Sequence, residues 1–99
     1  MKKTIVRYKV WPEKVGENEA FVREVYRALH ELKPSGIRYS TFKLQDGVTF
    51  QHIALFETEE AHRVFTGLPA FKNFQAGVKE RCEELPVVTV VEEVGAYVS

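Results

Sequence analysis

Two histidines in this chain stand where an imidazole could move a proton. His52 lies in the run VTFQHIALF, whose alternation of apolar and polar residues predicts a strand. The alternation puts His52 on one face with Phe50, Ala54 and Phe56. An imidazole among such apolar neighbours could take a phenolic proton and leave an electron-rich anion that reacts with oxygen, without any metal. His52 is therefore the candidate catalytic base.

His62 is the second candidate, in the first turn of a helix predicted to start after Thr58. The helix dipole there disfavours the imidazolium ion, so the ring would stay neutral and could act as a base or line a pocket. Each histidine also has a structural interpretation. His62 could be a solvated residue at the helix boundary. His52 could be a buried ring whose nitrogens are satisfied by a hydroxyl such as Ser40 or Tyr39.

Other chemistries lack the residues that they need. The histidines at positions 30, 52 and 62 show neither HExxH nor Cys/His ligand spacing, and no nucleophile elbow, Walker loop or dinucleotide fingerprint occurs. Cys82 has no adjacent histidine and falls on the apolar stripe of a predicted helix, which indicates a buried structural thiol. We therefore predict no metal site and no cofactor. Haem stays open, because any of the three histidines could supply an axial ligand.

Aromatic and basic side chains offer candidates for ligand binding. Trp11, Tyr39 and Phe56 could stack on a flat aromatic ligand, or they could pack across an interface between two copies of the chain. Arg7 and Lys9 alternate with apolar residues on the first predicted strand. They could attract an anionic phenolate or carboxylate into a cavity, or they could mark a solvated strand edge.

Composition limits the class of protein and of partner. The 99 residues suit one domain over residues 1–99, and 44% hydrophobic content can fill a core. Fourteen basic and fourteen acidic side chains give no net charge, so nucleic acid and anionic membranes are poor candidate partners. A lone cysteine and the absence of a signal-peptide pattern fit a reducing, cytoplasmic setting.

Hydrophobic periodicity predicts four strands and two helical regions. One helix is expected from a cap at Asn18, a second from a cap at Thr58, and the second continues after Pro69 through Cys82. Asp46-Gly47 predicts a type I′ hairpin turn, in which both residues have positive φ. The predicted strands are Ile5 to Trp11, Ile37 to Leu44, Val48 to Glu57 and Val87 to Val91.

The order β-α-β-β-α-β predicts an α+β, ferredoxin-like fold, in which both helices cover one face of a four-stranded antiparallel sheet. We expect the face that carries Phe50 and Phe56 to be left bare, with His52 among them. A bare apolar face of this kind usually marks an interface. The sequence therefore predicts a face-to-face homodimer with His52 inside the shared space.

With these residues in view, the chain resembles the dimeric α/β-barrel superfamily, and within it the antibiotic-biosynthesis monooxygenase group. The resemblance covers nearly the whole length and rests on HIALFETEEAHRVF followed by LPAFKNF. In that group a strand with an aromatic residue runs through a short acidic link into a helix, and a Pro before Phe follows. The resemblance implies the barrel-like homodimer. Its relatives include cofactor-free oxygenases of phenolic or quinol-type polyketides, haem-degrading enzymes, lactone isomerases and small-molecule sensors.

The resemblance also indicates candidate residues. In oxygenases of anthrone-like compounds, polar and aromatic side chains line the cavity at positions that correspond to His52, Phe56 and His62. Many quinol oxygenases of the group carry histidines at the positions of Phe65 and Ala70, and this chain lacks that pair. Two functions follow as hypotheses: a cofactor-independent monooxygenase of a small aromatic compound, or a non-enzymatic dimer that binds a small hydrophobic ligand or serves as an interaction module.

Overall fold

The computed structural model describes residues 1–99. Its four strands form one antiparallel sheet in the order β2-β3-β1-β4, and the helices cover one face. The predicted α+β, ferredoxin-like fold is confirmed. The strands are β1 (Lys2–Val10), β2 (Ile37–Lys43), β3 (Thr49–Phe56) and β4 (Cys82–Val91), and the helices are α1 (Val15–Leu32), α2 (Glu59–Thr66), α3 (Pro69–Ala76) and α4 (Val78–Arg81).

The starts and ends of the first two helices follow from local chemistry. α1 ends where Lys33 adopts a left-handed conformation, one residue before Pro34. α2 begins at the predicted cap, because the Thr58 hydroxyl accepts a hydrogen bond of 3.0 Å from the backbone N–H of Ala61. Gly67 then ends α2, and Pro69 occupies the first turn of α3.

The helices cover the opposite face of the sheet from the one expected. Phe50, Ala54 and Phe56 are buried in the core that β1 and β3 form with the helices. The bare face instead carries Ile53 and Leu55 of β3, which are half-buried. Both faces of β3 are apolar, so alternation alone did not distinguish them. The larger aromatic side chains face the helices because only that side offers a full core to bury them.

Two local predictions near the ends of elements are wrong. Asn18 is not a helix cap, since α1 has already begun at Val15, and its side chain is completely buried. The hairpin turn is not type I′, because Gly47 alone has a positive φ, of 77°. Its N–H donates to the carbonyl of Leu44, which puts Gln45 and Asp46 at the centre of the turn. The Asp46 carboxylate also accepts from the N–H groups of Val48 and Thr49, which favours this conformation.

The helical region before β4 is shorter than predicted. α3 stops at Gly77, a single turn of helix follows as α4, and Cys82 is extended and opens β4. A Cβ at Gly77 would lie 2.7 Å from a terminal nitrogen of Arg81, so glycine makes room for that side chain. Pro86 lies inside β4, beside a shift in the register with β1, where a missing N–H is tolerated. None of the helices combines the length and the hydropathy that crossing a membrane would need.

Candidate functional site

A cavity of about 250 Å³ lies between the covered face of the sheet and the helices α2 and α3. Apolar and aromatic side chains make up most of its wall. It opens to the surface where the exposed Lys2, Gln75 and Val88 stand at its edge. Its lining residues are Lys2, Thr4, Val6, Tyr8, Tyr39, His52, Ala54, Phe56, His62, Phe65, Thr66, Phe71, Phe74, Gln75, Val78, Pro86 and Val88.

His52 supplies an ionisable group to this wall and is only 3% exposed. His52 lies opposite Thr41 of β2 and Val6 of β1. This register brings hydroxyl groups of neighbouring residues on both strands to the two ring nitrogens. The Nε2 atom lies 2.8 Å from the hydroxyl of Tyr8. The Nδ1 atom lies 2.8 Å from the hydroxyl of Thr41 and 2.9 Å from that of Tyr39. The imidazole is therefore fixed in position and fully hydrogen-bonded.

The hydrogen bonds continue from Tyr8 away from the cavity. The side-chain amide nitrogen of Asn18 donates to the Tyr8 hydroxyl over 2.9 Å. The amide oxygen of Asn18 accepts from Nε of Arg81 over 3.1 Å. At the other end, Thr41 is 2.8 Å from the hydroxyl of Tyr26 on α1. We call this set of residues, Arg81, Asn18, Tyr8, His52, Tyr39, Thr41 and Tyr26, the hydrogen-bond chain.

Burial sets the ionisation of these groups. It lowers the pKa of His52 to about 4, so the imidazole is neutral at pH 7. It also raises the pKa of the hydroxyls of Tyr8 and Tyr39 well above their ordinary value. The part of the wall around His52 therefore presents neutral hydrogen-bonding groups, and any negative charge there would have to come from a ligand.

The structure brings together four of the five residues predicted for the site. His52, Tyr39, Phe56 and His62 all line the cavity, and the ring of His62 lies 4.8 Å from that of Phe56. Trp11 does not line it. This residue follows β1, is 42% exposed, and bonds through its backbone N–H to the carbonyl of Arg81. The strand ends at Val10, and the alternation along β1 puts position 11 in phase with Arg7 and Lys9, which are not on the covered face.

The bare face of the sheet holds the remaining polar candidates. Arg7 lies opposite Gln51 and Ser40 lies opposite Ile53, which places them on the face away from His52. Lys9 also lies outside the wall of the cavity and forms an ion pair of 3.2 Å with Glu83. Arg7 and Lys9 are therefore not placed to attract an anionic ligand toward His52. Ser40 is not the partner of His52, whereas Tyr39 is.

Sequence reasoning missed Tyr8, Asn18 and Arg81. The sequence did contain a signal for Tyr8, because it shares one face of β1 with the apolar Val6 and Val10. Asn18 and Arg81 are separated by 63 residues, and nothing in the local sequence links them. No group of three or more His, Cys, Asp or Glu side chains comes together in a way that could hold a metal ion.

Solved structures share this architecture. A crystal structure of an antibiotic biosynthesis monooxygenase matches with a TM-score of 0.80 and 18% identity, over 96% of this chain and 100% of its own. Rv0793 from Mycobacterium tuberculosis matches with a TM-score of 0.80 and 20% identity, over 96% of each chain. A conserved protein from Methanosarcina mazei Go1 matches with a TM-score of 0.77 and 15% identity, over 93% of this chain and 91% of its own.

These matches define the class of fold. The chain has the ferredoxin-like fold of the antibiotic biosynthesis monooxygenases, and the resemblance predicted from the sequence is confirmed at that level. No protein-family model and no curated protein matches the sequence. Identities of 14–20% show the fold alone, because one fold can carry many different sites.

Proposed function

We propose that the protein is a cofactor-independent monooxygenase of a small phenolic or quinol-type compound, with His52 as the proton acceptor. The observation that carries this proposal is a neutral imidazole in the wall of an apolar cavity, with its Nε2 atom hydrogen-bonded to a hydroxyl that lines the same cavity. The fold shared with antibiotic biosynthesis monooxygenases supports the same class of reaction.

The substrate would pass its proton to His52 through Tyr8. The Tyr8 oxygen would take the substrate proton while the Tyr8 hydroxyl proton moves to Nε2 of His52, which leaves a substrate anion beside an imidazolium ion. This anion favours the protonated imidazole and offsets the effect of burial on its pKa. The apolar wall would exclude water and leave the anion free to react with dioxygen.

The oxidation itself balances without a cofactor. When the anion is a carbanion formed from a CH₂ group between activating rings, addition of dioxygen and return of the proton give a hydroperoxide. Loss of water from that hydroperoxide leaves a carbonyl group. A CH₂ substrate and dioxygen thus become a ketone and water, and the two electron pairs come from its two C–H bonds. With a hydroquinone, dioxygen adds at the ring carbon next to the phenolate carbon, and loss of water from the hydroperoxide gives a hydroxyquinone. The two electron pairs then come from one O–H and one C–H bond.

The size of the cavity favours a compact substrate. A volume of about 250 Å³ lies just below the usual range for ligand sites, which begins at about 300 Å³. We therefore expect compounds with one or two rings, such as hydroquinones, to react faster than tricyclic anthrones.

Oxygen consumption with a panel of hydroquinones and anthrones tests the proposal. The wild type is expected to consume oxygen in the presence of one or more of these compounds. His52→Ala should lose about 10²–10⁴-fold in rate, which is typical for removal of a general base. His30→Ala is the matched control, because His30 is exposed on α1 and does not line the cavity. Equal rates for wild type and His52→Ala would remove His52 as the base.

A non-enzymatic ligand-binding domain is the second candidate, and one observation favours it. Both nitrogens of His52 are already engaged by protein hydroxyls, so a ligand reaches the imidazole only through Tyr8, Tyr39 or Thr41. Calorimetric binding of the same compounds, with no oxygen consumed by the wild type, would support this candidate over the enzyme.

We also propose that a second copy of the chain covers the bare face of the sheet. Half-buried Ile5, Ile53 and Leu55 lie on that face, and Val87 beside them is 64% exposed. Burying this apolar surface would stabilise a dimer. Light scattering should give twice the chain mass for the wild type and a lower mass for Ile53→Lys, while Gln51→Lys on the same face serves as a milder control. A monomeric wild type at micromolar concentration would contradict this proposal.

A further inference from the structure

Arg81 is a buried cation for which the proposed reaction has no direct use. Its side chain is 1% exposed, and none of the ion pairs in the protein involves it. Instead it donates to Asn18 and, over 2.8 Å, to the backbone carbonyl of Phe74. Its guanidinium carbon also lies 4.5 Å from the ring centre of Phe21. Because an unpaired buried charge is costly, its retention calls for a role.

The chemistry of Arg81 fixes the direction of every hydrogen bond up to His52. A guanidinium group can only donate, so the oxygen of the Asn18 amide must face it. The amide nitrogen of Asn18 then faces Tyr8 and donates to the Tyr8 hydroxyl. The Tyr8 proton can be accepted only by its other partner, Nε2 of His52. If Nε2 carried a proton, the Tyr8 proton would be buried without an acceptor, at a cost of about 1–3 kcal/mol.

We propose that Arg81 is a positioning residue, which acts through Asn18 and Tyr8 to hold His52 as the neutral tautomer with its proton on Nδ1. Nε2 is thereby kept as the acceptor, on the side of the ring that faces Tyr8. This tautomer does not depend on any activity of the protein, because the whole hydrogen-bond chain exists without a ligand.

The same reasoning frees one hydroxyl proton from the imidazole. Nδ1–H of His52 donates toward the oxygens of Tyr39 and Thr41, so neither hydroxyl can donate to that nitrogen. Thr41 has a second partner in Tyr26, and the other protein partner of the Tyr39 hydroxyl is Thr41. Because Tyr39 lines the cavity, its hydroxyl can turn from Thr41 and donate to a carbonyl or phenolate oxygen of a ligand there. This step rests on the proposed use of the cavity as a ligand site.

Nitrogen NMR of the His52 ring tests the tautomer, because protonated and unprotonated ring nitrogens have well separated shifts. The wild type should show a protonated Nδ1 and an unprotonated Nε2. Asn18→Asp is the decisive variant. A carboxylate at position 18 accepts from both Arg81 and Tyr8, so the Tyr8 proton turns away from His52 and the ring should switch to the tautomer with its proton on Nε2. The new carboxylate pairs with the buried cation, so we expect this variant to fold.

Asn73→Asp is the matched control, since it adds the same charge at an exposed position on α3. It should leave the tautomer of His52 unchanged. Arg81→Met should allow the Asn18 amide to rotate and give a mixture of tautomers, and Arg81→Lys should restore part of the wild-type preference. A wild-type ring protonated on Nε2, or a tautomer that Asn18→Asp does not change, would overturn the role of Arg81.

Paired probes test whether the Tyr39 hydroxyl donates to a ligand. Acetophenone carries an acceptor oxygen and ethylbenzene, of nearly the same shape, does not. In Tyr39→Phe the ratio of the two affinities should shift against acetophenone by about tenfold. Tyr97→Phe, at an exposed position, should leave the ratio unchanged. An unchanged ratio in Tyr39→Phe, or failure of both probes to bind the wild type, would overturn this step. The ring nitrogen shifts would still report separately on Arg81.

Discussion

The two faces of the sheet are formed by the same four strands but differ in burial and in the pairing of their polar groups. On the covered face, His52 and Tyr8 are almost fully buried, and every buried polar side-chain atom has a hydrogen-bond partner. On the bare face, Ile53 and Ile5 are half-buried and Arg7 reaches water. Polar groups on the covered face must find their partners inside the protein, and this requirement assembles the hydrogen-bond chain beside the cavity.

The largest difference in stability between the two faces is expected when an aromatic side chain is truncated. Phe50 is 2% exposed on the covered face, and Phe42, opposite Gln51, is 52% exposed on the other. Phe50→Ala is expected to lower the free energy of unfolding by about 3–5 kcal/mol, because it leaves a cavity in the core. Phe42→Ala should cost much less in the monomer, and urea denaturation compares them. Similar losses would show that the bare face is as well packed as the core.

Acid should destabilise the covered face through His52. Its pKa is about 4 in the folded protein and near 6.5 when unfolded, so the unfolded state binds more protons between those values. Stability is therefore lost as the pH falls from about 6.5 to 4, by about 3 kcal/mol. Denaturation of wild type and His52→Gln across this range measures the effect, with His30→Gln as control. A wild-type curve parallel to that of His52→Gln would contradict it.

Removal of one hydroxyl group should destabilise the hydrogen-bond chain more modestly. Tyr8→Phe keeps the ring but leaves Nε2 of His52 and the amide nitrogen of Asn18 without their partner. We expect a loss of about 1–3 kcal/mol in thermal or urea unfolding. Tyr97→Phe should have no effect, because Tyr97 is 86% exposed near the C-terminus. Equal stability of the two variants would mean that water replaces the Tyr8 hydroxyl.

The smallest effect is expected for the ion pair of Lys9 with Glu83, whose two side chains are each about one-third exposed. A cation at such a position is well solvated whether or not it is paired. Lys9→Met should therefore leave the urea midpoint within the error of the measurement, at low and at high salt. A clear loss that salt abolishes would show that charges on this face contribute to stability in the way that buried groups do.

Local sequence predicted the elements better than it predicted their ends. The cap at Thr58, Pro69 in the first turn of α3 and the alternation of β3 are properties of a few neighbouring residues, and the structure has all three. Asn18 and Cys82 were assigned wrongly for the opposite reason. An asparagine suits a cap and a cysteine suits an apolar stripe. Contacts with distant residues instead place Asn18 in the core, bonded to Arg81, and Cys82 in β4, paired with Val10.

Local sequence likewise predicted the strand residues of the candidate site but not their distant hydrogen-bond partners. Alternation placed His52, Phe56 and Tyr39 on strands, and all three line the cavity. Arg81 could not be foreseen as part of the hydrogen-bond chain, because its Nε–H meets the amide oxygen of Asn18 across 63 residues.

By itself, the sequence determined the order of strands and helices, because periodicity and capping act between residues a few positions apart. It also determined that an imidazole stands among aromatic side chains on β3. Only the tertiary structure decided which face of the sheet the helices cover, since both faces of β3 are apolar enough to be buried. It alone also decided the partners of His52, because buried donors and acceptors pair by proximity in space, and the chain brings Arg81, Asn18 and Tyr8 together only once it has folded.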